Sequence, residues 1–165
     1  MKSNVKIAII FTFLLSWGCK KEQSAPVPPI ITFLEANLSE DKTYSIVTFE
    51  FFDGDGDLGL RQNENGGNFE FNLFVDYYEK ENGIWKLKSP VITWNSSENK
   101  YDTTELHLRV PFIENKTNEP LKGETRVELF FNTFAVPDTF KYEITLKDRA
   151  LNSSNTITSS DIIAQ

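Results

Sequence analysis

The chain is poor in the residues that carry most enzyme chemistry. Among its 165 residues there is one cysteine, one histidine and one methionine. A lone cysteine, Cys19, cannot close an intrachain disulfide, so the domain must rely on its apolar core rather than on staples. A lone histidine, His107, leaves no H-E-x-x-H pair and no imidazole cluster for a transition metal. There is no G-x-S-x-G stretch, and no cysteine nucleophile follows Cys19. Positive charge is also short, with 17 Lys and Arg against 24 Asp and Glu and a formal net charge of −7. Such a surface repels phosphate backbones and argues against a nucleic-acid partner. Long apolar runs are missing as well. The strongest, Ile7 to Leu15, falls short of the roughly 20 residues that a membrane-spanning helix needs. Aromatics are plentiful: 14 Phe, 5 Tyr and 3 Trp can supply a core.

The short apolar run has a telling context. Lys2 and Lys6 precede it, Ser16-Trp17-Gly18 follow it, and Cys19 comes next. A basic start, a short apolar centre and a small residue before the cut make a secretory signal, read here over residues 1–18. A cysteine directly after the cut is placed for lipid attachment. The stretch Leu15-Ser16-Trp17-Gly18-Cys19 resembles the lipobox of bacterial lipoproteins, although Trp17 stands where a small residue is usual. With Lys20-Lys21-Glu22 behind it, the box is similar to those of Bacteroidota lipoproteins. The resemblance implies a diacylglyceryl thioether on Cys19 and an acylated new N-terminus. It also implies a lipid-anchored place in the bacterial cell envelope, with the outer membrane expected. One acyl chain binds only marginally, whereas two or three anchor stably. Residues 19–29 end in Pro26-Val27-Pro28-Pro29 and carry no apolar period. They read as an extended tether, at about 3.1 Å per residue reaching roughly 30 Å.

From Ile30 to Gln165 the pattern is that of one β domain. Val47, Phe49 and Phe51 alternate with Thr48 and Glu50, and Phe140, Tyr142, Ile144 and Leu146 alternate with Lys141, Glu143 and Thr145. Similar alternation covers Phe69–Tyr77, Leu106–Phe112 and Val127–Phe131, and period two is the strand signal. About eight strands are expected, at 30–36, 43–52, 69–80, 84–93, 104–112, 124–132, 139–148 and 154–163. Glu81-Asn82-Gly83 should close a hairpin. Asn115–Pro120 and Ala150–Asn155 are polar breaks. The expected fold class is all-β, an antiparallel sandwich. The closing segment from Tyr142 to Asn155 resembles the last hairpin of bacterial immunoglobulin-like domains, which implies that sandwich type.

The chief chemical motif is Phe52-Asp53-Gly54-Asp55-Gly56-Asp57-Leu58-Gly59. Alternate carboxylates in a tight turn repel one another unless water or a cation lies among them, and a hard cation takes six to eight oxygens. Set against an EF-hand loop, Asp53, Asp55 and Asp57 fall at positions one, three and five. Gly59 falls at seven and Glu64 at twelve. Leu58 occupies the position where that loop needs glycine, and strands flank the stretch, so it is a different turn with calcium as its candidate ion. The alternative is a solvated loop whose carboxylates cap turns. If strands 43–52, 69–80, 139–148 and 154–163 are B, C, F and G, their B–C and F–G loops share one end. Asp148 then joins Asp53, Asp55, Asp57 and Glu64 as a candidate ligand. The Asp-Gly-Asp-Gly-Asp-Leu-Gly stretch also resembles acidic loops of Bacteroidota lipoproteins. Its formal match to G-x-G-x-x-G is not a nucleotide loop, because a phosphate would meet aspartates and no helix N-terminus.

His107 alternates with Leu106 and Leu108 and is expected to face solvent. Phe74, Tyr78 and Phe130 lie on nominally outward positions, and Trp85, Trp94 and Tyr101 flank loops. They form either an aromatic platform for sugar or protein, or a surface covered by loops 53–68 and 94–103. The expected function is non-catalytic: an envelope binding or structural module with an unknown envelope protein or glycan as partner. A carbohydrate-binding accessory protein is the first alternative and a small hydrolase the second.

Overall fold

The computed structural model describes residues 27–114, 119–131 and 137–164. The signal segment, Cys19 and the tether up to Pro26 lie outside the described residues. Among those described, alternation becomes strand wherever one face can be buried. The strands are β1 (Ile30–Leu38), β2 (Ser45–Asp53), β3 (Leu73–Glu81), β4 (Ile84–Leu87), β5 (Val91–Asn95), β6 (Lys100–Thr104), β7 (Leu121–Leu129), β8 (Thr139–Leu146), β9 (Ile157–Thr158) and β10 (Ile162–Ile163). The chain is all-β, and every strand pair is antiparallel.

Two sheets make the sandwich. One runs β1-β2-β7, and the other β10-β8-β3-β4 with β9 also on β8. Relabelled A-B-E and C′-C-F-G, this is the strand order of an immunoglobulin-like sandwich. Val47, Phe49 and Phe51 of β2 and Val127 and Leu129 of β7 line one inner face. Val75 and Tyr77 of β3 and Phe140, Tyr142, Ile144 and Leu146 of β8 line the other. Phe131 stacks on Phe140 at 4.7 Å, and Tyr77 meets Phe140 edge-on at 5.7 Å. Where an immunoglobulin domain can carry a disulfide between sheets, this core has a hydrogen bond. Ser45 Oγ and the buried Tyr142 hydroxyl lie 2.6 Å apart, and Ser45 also donates to the Leu129 carbonyl at 3.0 Å.

The departures from the sequence expectation have local causes. The strand expected from residue 69 begins at Leu73, because Gly67–Phe69 form a 3-10 turn. The strand expected at 84–93 is split into β4 and β5 around Pro90, which has no N–H to give a ladder. Of the strand expected at 104–112, only Thr104 is in a strand, as the end of β6; residues 105–112 are not a regular strand. They are held by isolated bridges, Leu73 to Leu108 and Leu60 to Pro111. β7 starts earlier than expected, at Leu121, and the last strand is two short pieces, β9 and β10. β6 pairs β5 in a separate hairpin where a loop was expected. The Asn82-Gly83 turn forms as expected, with φ of 51° and 80°, the left-handed pair that a two-residue hairpin requires.

His107 is a correction. Instead of facing solvent it sits between Phe71 and Phe74, and its Nδ1 accepts the Val75 N–H at 3.2 Å. Phe74 is covered by His107 and by Lys147, whose ammonium lies 4.7 Å from the ring centre. Lys141 lies over both Tyr78 and Trp85. Lys141 of β8, Lys147 just past its end and His107 of the segment after β6 make this cover, rather than the expected loops 53–68 and 94–103.

Candidate metal centre

The acidic loop leaves the sandwich at the last residue of β2. Asp53 ends that strand fully buried, at 0% exposure, and its Oδ2 accepts the Leu58 N–H at 2.8 Å. The bond folds the loop back on itself, and Leu58, also at 0%, becomes part of the core. Gly59 then passes under Pro111 with φ of 91°, and a Cβ there would run into the Pro111 carbonyl. Leu60 is pinned by its N–H to Val110 O and by Phe112 N–H to its own carbonyl, both at 3.0 Å. Both ends of the loop are therefore fixed by the fold, and the acidic tip between them is forced into a small space.

One carboxylate oxygen from each of Asp53, Asp55 and Asp57 lies within 4.8 Å of the others. The Oδ1 atoms of all three are buried and accept no hydrogen bond among the described residues. The second oxygens of Asp53 and Asp55 are otherwise engaged, that of Asp53 by Leu58. Asp55 Oδ2 accepts the Val27 N–H at 3.3 Å. The backbone of Arg149 and Ala150 lies near the Asp57 carboxylate and favours its charged form. Burial pushes the Asp53 carboxyl up to about 7, with further upward pressure from Asp55 and Asp57 against the opposing Leu58 N–H. Asp57 is raised as well, first by burial and then by the charges of Asp148 and Asp55.

The remaining candidates are placed differently. Asp148 is buried beside this cluster, close enough for its charge to act on Asp57. Its two oxygens close the F–G loop by accepting Asn152 N at 2.7 Å and Asn152 Nδ2 at 2.8 Å. Glu64 is not in the converging set. Its carboxylate pairs with Arg149, Nη2 to Oε1 at 2.6 Å, and also accepts the Arg61 N–H at 2.8 Å. These bonds, the Arg149 one first, hold Glu64 below the usual carboxylate range. Arg149 thus touches both loops: its backbone lies near Asp57 and its guanidinium holds Glu64.

One contributor gave no signal in the sequence. The Arg109 guanidinium donates to the carbonyls of Phe69, Glu70, Arg61 and Glu64, tying down the loop that follows the acidic tip. These partners lie between 39 and 48 positions away, so no local pattern could have announced them.

The donor set is all oxygen and anionic, which suits a hard cation. The three oxygens lie within 4.8 Å of one another, close enough for one cation with metal–oxygen distances of about 2.4 Å to reach them all. Three uncompensated buried oxygens are otherwise costly, because a buried charge needs a partner. Compared with protein families, curated proteins and solved structures, the chain matches none.

Proposed function

We propose that this chain is a lipid-anchored, non-catalytic envelope module: an immunoglobulin-like sandwich carried by Cys19, with the B–C/F–G end of the domain held by calcium. The observation that carries the calcium part is the convergence of three buried carboxylate oxygens that have no hydrogen-bond partner among the described residues. Asp53, Asp55 and Asp57 supply the first ligands. Asp148 adds negative charge at the rim, and Glu64 braces the loop through Arg149. The anchor rests on the signal pattern and on the position of Cys19. The module acts by presenting a sandwich to a partner protein or glycan.

The test is thermal melting and calorimetry of the full chain, with calcium and with magnesium. A ligand at a hundred times its dissociation constant adds about 2.7 kcal/mol, which in a domain of this size raises Tm by about 10 °C. Calcium should give that rise and Asp57→Asn should remove it. No heat and no shift at millimolar calcium would end the calcium reading. Mass spectrometry of the envelope-derived protein tests the anchor separately, through acyl mass on Cys19.

A second reading has one specific observation in its favour. On the β5–β6 hairpin Trp94 and Tyr101 pack edge-on at 4.9 Å with 39% and 73% of their surfaces exposed. An exposed aromatic pair can stack on a sugar ring. Glycan binding that disappears in Trp94→Ala, with melting temperature unchanged, would favour a carbohydrate-binding accessory role.

A further inference from the structure

The two edges of the β1-β2-β7 sheet are finished in different ways. β1 has a register shift between Phe33 and Glu35, and a bulge twists an edge away from would-be partners. Its open backbone is also capped: Asn155 Oδ1 accepts the Ile31 N–H and Asn155 Nδ2 donates to the Ile31 carbonyl, both at 2.9 Å. β7 has neither device. It pairs β2 without a shift from Leu121 to Leu129, and no strand among the described residues lies on its other side.

The ladder shows which groups face that open edge. Ile31 spends both backbone bonds on Asn155, so its partner Phe51 turns its own bonds toward β7. Phe51 is opposite Gly123. By alternation, Gly123, Thr125 and Val127 bond inward to β2, and the backbone groups of Lys122, Glu124, Arg126 and Glu128 point out. The side chains of those same four residues are exposed, and none forms an ion pair among the described residues. Within the chain Glu124 lies directly opposite Glu50, an unfavourable like-charge pair.

The sequence of this edge is Leu121-Lys122-Gly123-Glu124-Thr125-Arg126-Val127-Glu128-Leu129. Turned about Thr125 onto itself in antiparallel register, it sets Lys122 against Glu128 and Glu124 against Arg126, twice each. Leu121 meets Leu129, and Gly123 meets Val127. Every charged position finds its opposite, and Glu124 gains a cation on the side away from Glu50. Shifting the register by two residues sets Glu124 against Glu128 or Lys122 against Arg126, so the charges select one alignment. We infer that the β7 edge is a self-association surface, and that two copies of this chain join there about a two-fold axis through Thr125, extending each three-stranded sheet into one of six strands.

The experiment uses the full chain in detergent micelles, with the unaltered protein as the blank because its only cysteine is Cys19. Thr125→Cys lies on the axis and forms a non-hydrogen-bonded pair, the closer kind, so mild oxidation should link two copies. Lys122→Cys alone should give no more dimer than the blank, whereas Lys122→Cys/Glu128→Cys should cross-link. Arg126→Glu places four acids around the axis and should weaken dimerisation at least tenfold. The exchange Glu124→Arg/Arg126→Glu restores complementarity and should restore the dimer. A chain that stays monomeric up to millimolar concentration overturns the inference. So does a dimer that Arg126→Glu leaves intact, a Lys122→Cys cross-link as strong as that of Thr125→Cys, or capture of a different envelope protein by Thr125→Cys in place of a second copy.

Discussion

Asp53 places a fully buried carboxyl facing two more, with no side-chain cation against it among the described residues. In the metal-free protein this is a standing cost. Asp53→Asn keeps an oxygen for the Leu58 N–H and offers two new donors to Asp55 and Asp57. Urea unfolding in EDTA should therefore find the variant more stable than the parent, by about 1–3 kcal/mol, while calcium no longer adds anything. A variant less stable in EDTA would mean that the carboxylate already has a favourable partner. Tyr142 is the opposite kind of buried polar group, because its hydroxyl is fully used by Ser45 at 2.6 Å. Burial raises its pKa, so it stays a neutral phenol at any working pH. Tyr142→Phe should cost about 1–2 kcal/mol. Ser45→Ala on top of it should cost less than the two single changes added together, since they share one bond.

Arg109 shows how a single side chain can finish an element that has no ladder of its own. Residues 61–70 contain only a 3-10 turn, yet four of their carbonyls meet one guanidinium. Arg109→Ala should cost about 1–2 kcal/mol, less than four buried bonds because the group is exposed. Hydrogen exchange should speed up over residues 61–70 while β2, β3 and β8 stay protected; unchanged exchange there would show that the loop does not depend on the clamp. Legibility follows the same division between elements that carry their own signal and elements that borrow it. β2, β3, β7 and β8 could be read because each buries one full face, so period two appears in the letters. β6, Lys100-Tyr101-Asp102-Thr103-Thr104, could not, since it leans only on β5 and has no buried face to write into its sequence. Residues 105–112 alternate like a strand because they cover the core, but they find only bridging partners. At the candidate site, the Asp53-Asp55-Asp57 spacing was visible, and strand order put Asp148 at the same end. The engagement of Glu64 by Arg149 was hidden, because the two residues are 85 positions apart.

The molecule as a whole carries two opposing proton linkages. Asp53 has a folded pKa of about 7, above the unfolded carboxylate value of about 3.9. A raised carboxyl favours the fold below the unfolded value, and that contribution is lost as pH rises through the folded one. Glu81 runs the other way. Lys86 and then Lys88 hold it down at about 2, so its contribution is present above the ordinary Glu range and is lost as pH falls. In EDTA, the melting temperature should therefore peak near pH 4–5 and decline toward pH 7. With calcium the decline should flatten, because the ion takes the place of the proton. Parallel curves with and without calcium between pH 4 and 8 would contradict this. The same loop is also where the N-terminal segment arrives, as the Val27 N–H rests on Asp55 Oδ2. Tension carried by the chain into Val27 would reach the acidic loop through Asp55 as well as the β1–β2 ladder that begins at Ile30. A cation bound there would brace the loop on which the first described residues rest.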